Sequence, residues 1–263
     1  MPELPEVETV VRTVAPHLVG RRIVSTHLTS HRVTRGDVEE TERALTGATI
    51  QAIRRRGKQI LIDLDRGLLY VHLGMTGKLL WKGEPGKYTR GYIELDTGCL
   101  VYDDVRQFGR LEFYGKSPDA LERVGPDALS VDFELFYERL RKRRGYLKAI
   151  LLNQRFLAGV GNIYADELLF AARVHPRTRT DRISRQRAKE IHKHMLEILA
   201  LAIAHRGSSV SDYVDSSGER GSFQQLHNVY GREGEPCPRC GTAIRRTVIA
   251  QRGTHYCPRC QRA

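Results

Sequence analysis

The sequence predicts an α+β protein of two domains, in which a helix and a β-sandwich are followed by a helical domain and a small cysteine-containing β-hairpin. Three observations support this prediction: short apolar runs broken by Gly and Asp in the first half, helical periodicity in the second half, and two close pairs of cysteines at the C-terminus. The predicted boundaries are 1–115 for the β-sandwich domain, 116–131 for a linker, 132–228 for the helical domain and 229–263 for the hairpin.

Composition narrows the class of protein. The chain has 263 residues, with 43 Lys and Arg against 31 Asp and Glu, and a formal net charge of +12. Such a surplus predicts a polyanionic partner, nucleic acid first. No run approaches the 18 apolar residues of a membrane span, and the acidic residues after Met1 are not those of a secretory leader. We therefore expect a cytoplasmic globular protein without a membrane partner.

The N-terminal half begins with an amphipathic helix over residues 3–19. Its apolar residues recur at steps of three and four, and Gly20 follows its end. From residue 23 to about residue 114 the pattern changes to short strands, which favours a β-sandwich or barrel. The clearest strand candidates are residues 60–64, 68–73, 92–95 and 111–114.

The second half is predicted to be helical over residues 132–143, 145–153, 162–173 and about 184–205, with loops and one short helix over 206–236. Arg143 and Arg144 are placed on a basic helical stretch. The turn Gly159–Val160–Gly161 leads into a helix whose N-cap is predicted to be Asn162. A glycine turn before a helix N-terminus suits a DNA phosphate, but it lacks the third glycine of a dinucleotide fingerprint. We therefore expect no nucleotide cofactor.

The last segment contains two C-x2-C pairs separated by sixteen residues: Cys237, Cys240, Cys257 and Cys260. This spacing is that of a four-thiolate zinc site, with disulfides as the competing interpretation. Residues 247–250 and 254–256 are predicted to be the strands of a hairpin, and residues 251–253 its turn. A hairpin this small needs one structural Zn²⁺ for its folding energy, and it presents Arg252 at its tip.

Several separated motifs identify a family resemblance. They are the start Pro2–Glu3–Leu4–Pro5–Glu6, then His72–Leu73–Gly74–Met75, Arg106–Gln107–Phe108–Gly109, Gly159–Val160–Gly161–Asn162–Ile163–Tyr164, and the cysteine hairpin. Together they resemble the formamidopyrimidine-DNA glycosylases of bacterial base-excision repair, over essentially the whole chain. The resemblance implies a helix–two-turn–helix element in the helical domain, a monomer, and damaged double-stranded DNA as the partner, bound at the bacterial nucleoid.

The resemblance also implies a catalytic set. Removal of Met1 would give Pro2 a secondary amine, which can displace a damaged base at C1′ of its sugar and form an iminium that acts as an electron sink. Glu3 is the candidate general acid. Lys58 matches the second catalytic cation, beside the damaged sugar and its phosphate. The implied activity is excision of oxidised purines (8-oxoguanine and formamidopyrimidines), followed by strand cleavage through β,δ-elimination.

Further residues match DNA contacts of the family. Met75, Arg106 and Phe108 match the three residues that fill the space left by a flipped nucleotide. Where family members often carry histidines, this chain has Tyr88–Thr89–Arg90, and Arg90 is the cation expected there. Other matches are His72, Lys148 and Asn162, with Arg143 and Arg144 as weaker candidates. Arg252 matches the phosphate-binding arginine of the family's zinc hairpin, and the resemblance places it in the catalytic set with Pro2, Glu3 and Lys58. The loop 216–225 corresponds to the family's loop over the flipped base.

Two other functions remain open on the sequence. An endonuclease VIII-like glycosylase would share Pro2, Glu3 and the zinc hairpin but prefer oxidised pyrimidines; Leu4 and the Met75, Arg106 and Phe108 set favour the purine enzyme. A zinc-ribbon DNA-binding protein without catalysis would explain the charge and the cysteines, but not the N-terminal Pro–Glu.

Overall fold

A computed structural model describes residues 1–116, 121 and 123–262. Its backbone separates into two compact units, Met1–Glu122 with His205–Ser222, and Arg123–Ala204 with Phe223–Ala263. The structure thus groups residues 205–222 with the first unit. Residues 117–120 and 122 of the predicted linker lie outside the described residues, and the proposed domain boundaries stay a prediction.

The first unit contains two antiparallel four-stranded sheets. One sheet has the order β1-β6-β7-β5 and the other β2-β3-β4-β8. The strands are β1 (Ile23–Leu28), β2 (Ile50–Arg56), β3 (Gln59–Leu64), β4 (Gly67–His72), β5 (Lys78–Trp81), β6 (Thr89–Leu95), β7 (Gly98–Asp103) and β8 (Arg110–Tyr114). Apolar side chains from both sheets form one core, so this unit is a β-sandwich as predicted.

Helix α1 (Leu4–Leu18) packs its apolar stripe into that core. All the residues of the stripe are buried: Leu4, Val7, Val10, Val11, Val14 and Leu18. The sheet β2-β3-β4-β8 is apolar on both faces. Ile60 and Ile62 point into the sandwich, while Leu61 packs on the other face against Leu68 and Leu121. This explains why its strands read as continuous apolar runs rather than as an alternating pattern.

Two short helices interrupt the region in which only strands are predicted: α2 (His31–Thr34) and α3 (Val38–Leu45). Helix α3 begins at a clear signal, since Asp37 accepts a hydrogen bond from the backbone N–H of Glu40 at 2.8 Å. The prediction of strands alone over 23–114 was therefore wrong for this stretch.

The second unit contains the helices α4 (Phe133–Arg141), α5 (Leu147–Leu152), α6 (Asn162–Ala171) and α7 (Arg185–Ala204), two short 3-10 helices (Thr180–Arg182 and Phe223–Leu226), and a hairpin of β9 (Arg245–Ile249) and β10 (Arg252–Tyr256). Each predicted helix is present, shortened by one or two residues at most ends. None of the described helices combines the length and the apolar run needed to cross a bilayer.

Three local predictions about the second unit were wrong. Arg143 and Arg144 lie in the connection between α4 and α5, because α4 ends at Arg141. The N-cap of α6 is Gly161, so Asn162 is the first helical residue and its side chain is directed elsewhere. The hairpin turn is Ala250–Gln251, both with positive φ (49° and 59°), as a two-residue type I′ turn requires. Arg252 is consequently the first residue of β10.

Candidate active site and nucleic-acid interface

The first candidate site is the start of α1. Pro2 is buried and Glu3, the N-cap of α1, is only 4% exposed, whereas Met1 is 50% exposed. Glu6 lies one turn along the helix, and its Oε2 accepts a hydrogen bond from the backbone N–H of Glu3 at 2.7 Å. This contact, half of a capping box, fixes the backbone that precedes the helix. The amine that Pro2 would carry after removal of Met1 is therefore attached to a rigid support.

Glu6 also holds a second segment of the chain against α1. Its Oε1 accepts a hydrogen bond from the backbone N–H of Ser208 at 2.7 Å, and its carbonyl accepts one from the Tyr213 hydroxyl at 3.2 Å. Gly207, at φ +78°, lies so close that an added Cβ would approach Glu6 Oε1 to 2.6 Å. The segment 205–222 is thereby fixed beside the candidate nucleophile. Within loop 216–225, residues 217–220 are exposed, whereas Ser216 and Gly221 are buried.

Lys58 lies in the two-residue turn between β2 and β3 and is 7% exposed. Gly57 precedes it at φ +59°, a conformation that glycine adopts without strain. Arg55 donates to the Gly57 carbonyl at 2.9 Å and to Glu8 of α1 at 2.7 Å. Burial raises the pKa of Glu8, but hydrogen bonds from Arg55 and Arg12 outweigh burial and hold it below its usual value. An ionised Glu8 therefore fixes the Lys58 turn to α1, the helix that begins after Pro2 and Glu3.

His72 ends β4 and pairs in register with Gln59, the residue after Lys58. Burial, together with the positive charges of Arg110, Lys58 and Arg35, lowers the pKa of His72 to about 4. Its Nδ1 accepts a hydrogen bond from the Gly74 N–H at 3.1 Å. The ring is therefore neutral at pH 7 with its proton on Nε2, which makes that atom a hydrogen-bond donor suited to a phosphate oxygen.

Two adjacent loops bring the three predicted void-filling residues together. Met75 is 41% exposed, Phe108 is 56% exposed, and the Arg106 guanidinium stacks over the Phe108 ring at 4.7 Å from its centroid. The loops touch at Gly74 (φ +58°), where an added Cβ would meet the Gly109 nitrogen at 2.6 Å. Large apolar side chains held in solvent on rigid loops suit insertion into a base stack.

Buried Asp104 joins these two loops. Its carboxylate accepts hydrogen bonds from the Thr76 hydroxyl at 2.6 Å and from the Gly109 N–H at 2.8 Å. The Thr76 hydroxyl in turn accepts the N–H of Arg106 at 3.1 Å. Arg90, half-buried, donates its Nε to the Asp104 carbonyl at 3.1 Å, so its side chain braces the same loops.

In the second unit, Lys148 has no exposed surface. Its Nζ lies 2.6 Å from Asp166 Oδ1, and it donates to the Gly253 carbonyl at 3.1 Å and to the Thr254 hydroxyl at 2.9 Å. Asp166, also fully buried, accepts the N–H of His255 at 2.8 Å. Protein atoms surround the Lys148 ammonium group, and a contact between Lys148 and a DNA phosphate stays a prediction. Lys148 instead fastens β10 to α5 and α6.

Asn162 and Arg252 meet the same strand. The Asn162 amide donates to the Gly253 carbonyl at 2.9 Å, which places the start of α6 beside the hairpin. Arg252, adjacent to Gly253, is exposed. Arg143 and Arg144 are exposed as well, in the connection before α5. The structure therefore brings Lys148, Asn162 and the Arg252 strand together, with Arg252 directed to solvent.

The four cysteines form a compact cluster. Their sulfurs lie within 4.8 Å of one another, with Cys237 and Cys260 at 3.9 Å and Cys240 and Cys257 at 3.5 Å. Zn–S bonds of about 2.3 Å in a tetrahedron give S···S edges of about 3.8 Å, whereas a disulfide requires about 2.05 Å. The backbone N–H groups of Arg239 and Cys260 point at Cys237 and Cys257 sulfurs at 3.4 Å. These residues fit one structural zinc ion.

Sequence reasoning missed the roles of three buried acids: Glu6, Asp104 and Asp166. Glu6 accepts a hydrogen bond from the N–H of the predicted site residue Glu3. Asp104 acts on Arg106 through the Thr76 hydroxyl, and Asp166 forms an ion pair with Lys148. Only Glu6 had a usable signal, its position three residues after the N-cap Glu3. The other two had no such signal, because Asp104 bonds to Thr76 and Asp166 bonds to His255, and both partners come from other segments of the chain.

Comparison with known proteins agrees with this arrangement. Family models match residues 1–111 (formamidopyrimidine-DNA glycosylase N-terminal domain), 124–214 (formamidopyrimidine-DNA glycosylase H2TH domain) and 234–263 (zinc finger found in FPG and IleRS). The formamidopyrimidine-DNA glycosylase of Solibacter usitatus is 48% identical over 264 residues, with 100% of both chains covered.

Two crystal structures of Lactococcus lactis Fpg, each 38% identical with a TM-score of 0.91, are similar throughout. One is a mutant bound to DNA containing Fapy-dG, with 100% of both chains covered. The other is a complex with DNA containing an abasic site, with 99% of this chain and 100% of that chain covered. These matches confirm the resemblance, the α+β fold and the single structural zinc site. From its N-terminal helix to its zinc hairpin, the chain belongs to the formamidopyrimidine-DNA glycosylase family.

Proposed function

We propose that this protein is a bifunctional DNA glycosylase and abasic-site lyase that excises oxidised purines, 8-oxoguanine and formamidopyrimidines, from double-stranded DNA. The observation that carries the proposal is the buried start of α1, where Pro2 and Glu3 lie on a backbone fixed by Glu6. The related Lactococcus lactis structures, which hold Fapy-dG and abasic DNA, support the same substrate class.

The proposed reaction begins with cleavage of the Met1–Pro2 peptide bond, which gives Pro2 a secondary amine. The Pro2 nitrogen attacks C1′, the C1′–base bond breaks, and Glu3 supplies a proton to the departing base as general acid. The C1′–O4′ bond then breaks, the proton of the Pro2 nitrogen passes to O4′, and an iminium between Pro2 and C1′ remains. Loss of a C2′ proton then expels the 3′ phosphate, and a second elimination expels the 5′ phosphate. Lys58, on the turn that Glu8 and Arg55 fix to α1, assists by its positive charge.

We propose DNA contacts by exposed residues and by the partly buried residues His72 and Asn162. Met75, Arg106 and Phe108 fill the space left by the flipped nucleotide, and His72 donates Nε2–H to a phosphate. Arg252, Asn162, Arg143 and Arg144 are the proposed phosphate contacts of the second unit. Arg90 and Lys148 act as positioning residues, through Asp104 and Asp166 respectively.

The experiment is borohydride trapping on duplexes that carry 8-oxoguanine, an oxidised pyrimidine or an abasic site. We expect the Met1-processed protein to form a covalent adduct and Pro2→Gly to lose most of it. Pro16→Ala, which changes an exposed proline of the same helix, is the matched control and retains trapping. Glu3→Gln should slow base excision by about 100-fold or more and affect the preformed abasic site less.

Two results would contradict the proposal. Equal trapping by Pro2→Gly and the processed protein would remove Pro2 from the mechanism. Preferential trapping on the oxidised pyrimidine would assign the endonuclease VIII-like specificity instead.

A further inference from the structure

The second unit contains a cleft of about 570 Å³ with an unusual lining. Five arginines and two zinc-site cysteines line it: Arg173, Arg187, Arg239, Arg259, Arg262, Cys240 and Cys260. All five arginines are exposed. We call this feature the arginine cleft. It lies at the cysteine end of the hairpin, so its distance along β10 from Arg252 is about 13 Å or more, at about 3.3 Å per residue.

The arginines of the cleft have no carboxylate partner among the residues that the structure describes. Across the described part of the chain, none of its five guanidinium groups forms an ion pair, whereas Arg12, Arg54 and Arg232 each pair with an acidic side chain. Two cleft arginines are nevertheless held in place. Arg239 donates to the Phe170 carbonyl at 3.1 Å and stacks on its ring at 4.3 Å from the centroid, and Arg187 donates to the Arg173 carbonyl at 2.5 Å.

The zinc centre would neutralise only part of the positive charge of the five arginines. A zinc ion with four thiolates carries a net charge of −2, whereas the five arginines carry +5, so the cleft retains a surplus of three positive charges. Like charges repel, and gathering them without partners lowers stability unless an anion binds. The surplus therefore points to a polyanionic ligand.

The chemistry of the lining specifies the kind of anion. The planar fork of arginine matches phosphate oxygens in a bidentate manner. Among the residues that the structure describes, neither an aromatic ring nor a carboxylate lines the cleft, so these residues offer no stacking surface for bases and no repulsion of an anion. We propose that the arginine cleft is a second, sequence-independent site for DNA backbone phosphates, separate from the hairpin tip. Such a site goes beyond the proposed catalytic function, because the arginine cleft would add to the affinity of the protein for undamaged duplex DNA.

The test compares two double variants with the same loss of charge. Arg173→Gln/Arg262→Gln changes cleft arginines that hold no other side chain in place, and Arg21→Gln/Arg43→Gln changes exposed arginines of the first unit. The affinity of each full-length zinc-loaded protein for an undamaged duplex is measured over a series of KCl concentrations. Each lost phosphate contact should reduce the log–log salt slope by about 0.9, so the cleft pair should lower it by about 1.8 and the control pair should leave it unchanged.

Zinc content is measured for both variants, and Arg187→Gln/Arg262→Gln replaces the first cleft pair if zinc is lost. Equal salt slopes for the cleft and control pairs would overturn the proposal. Calorimetry with inorganic tripolyphosphate separates the sources of phosphate: binding of tripolyphosphate with an unchanged duplex slope would assign the cleft to a small polyphosphate and overturn the DNA assignment. Borohydride trapping at saturating lesion duplex should be equal in all variants, so failure of the proposed catalysis would appear in the parent protein and leave this comparison intact.

Discussion

Replacement of Lys148 by methionine should weaken the second unit strongly, because it leaves a buried carboxylate without its cation. Lys148 and Asp166 are both fully buried, with 2.6 Å between Nζ and Oδ1. After the change, the other hydrogen bond that Asp166 accepts, from the N–H of His255, is a neutral one. Removal of one partner of a buried ion pair costs about 3–5 kcal/mol, and the Gly253 carbonyl and Thr254 hydroxyl also lose their donor.

Urea unfolding followed by circular dichroism, with amide hydrogen exchange to separate the two units, measures this cost. The matched control is Lys142→Met, which removes an exposed ion pair with Glu138 and should hardly change the free energy of unfolding. Lys148→Met/Asp166→Leu should recover much of the lost stability, because it removes both charges. DNA affinity should fall with Lys148→Met, since Gly253 adjoins Arg252.

A Lys148→Met protein that loses less than about 1 kcal/mol of its free energy of unfolding, or that behaves like the Lys142→Met control, would refute a stabilising role of the Lys148–Asp166 ion pair. Either outcome would show that zinc and the remaining contacts, such as the one from Asn162 to Gly253, hold the hairpin without this ion pair. If the hairpin is destabilised but the DNA affinity is unchanged, the Lys148–Asp166 ion pair does not determine the position of Arg252.

Two further predictions concern the first unit. Gly207→Ala should reduce the rate of base excision and the stability, because the added Cβ forces Glu6 to move. The control Gly218→Ala has a similar φ of +83° but no atom within 4 Å of its Cβ, so it causes only backbone strain. Equal effects of both changes on the excision rate would refute the role of the close approach to Glu6. For His72, the folded-state pKa of about 4 lies below the unfolded value of about 6.5, so its contribution to stability is complete above pH 6.5 and is lost as the pH falls toward 4. The loss of stability is at most about 3 kcal/mol. The urea midpoint should therefore depend less on pH in His72→Gln than in the parent protein, and identical pH profiles of the two proteins would contradict the assignment to His72.

Local patterns of the sequence were sufficient for most of the architecture. The apolar residues of α1 all reach the core, because a period of 3.6 residues depends only on the helix itself. The cysteine spacing was sufficient for the zinc site for the same reason, since each pair forms its knuckle locally. Helix α3 was missed although Asp37 marks its start, because its apolar stripe is short and lies within a strand-rich region.

Positions that depend on distant partners were not available from local patterns. The Asn162 side chain bonds to Gly253 rather than capping its helix, and Lys148 is enclosed by the same strand. Both outcomes arise from the packing of β10 on the helices, a contact of about one hundred residues in sequence separation. No periodicity or spacing near Asn162 or Lys148 encodes it.

The sequence by itself determined the α+β class, the helix that begins after Pro2 and Glu3, the zinc cysteines and the positive net charge, since each depends on residue type and short-range spacing. Only the tertiary structure decided which charges are free to meet DNA and which hold the protein together. Lys148 and Arg252 are both cations of the second unit, yet Lys148 is enclosed beside Asp166 and Arg252 is exposed. Burial and ion pairing are properties of the folded chain, because the partners that neutralise a charge come from anywhere in the sequence.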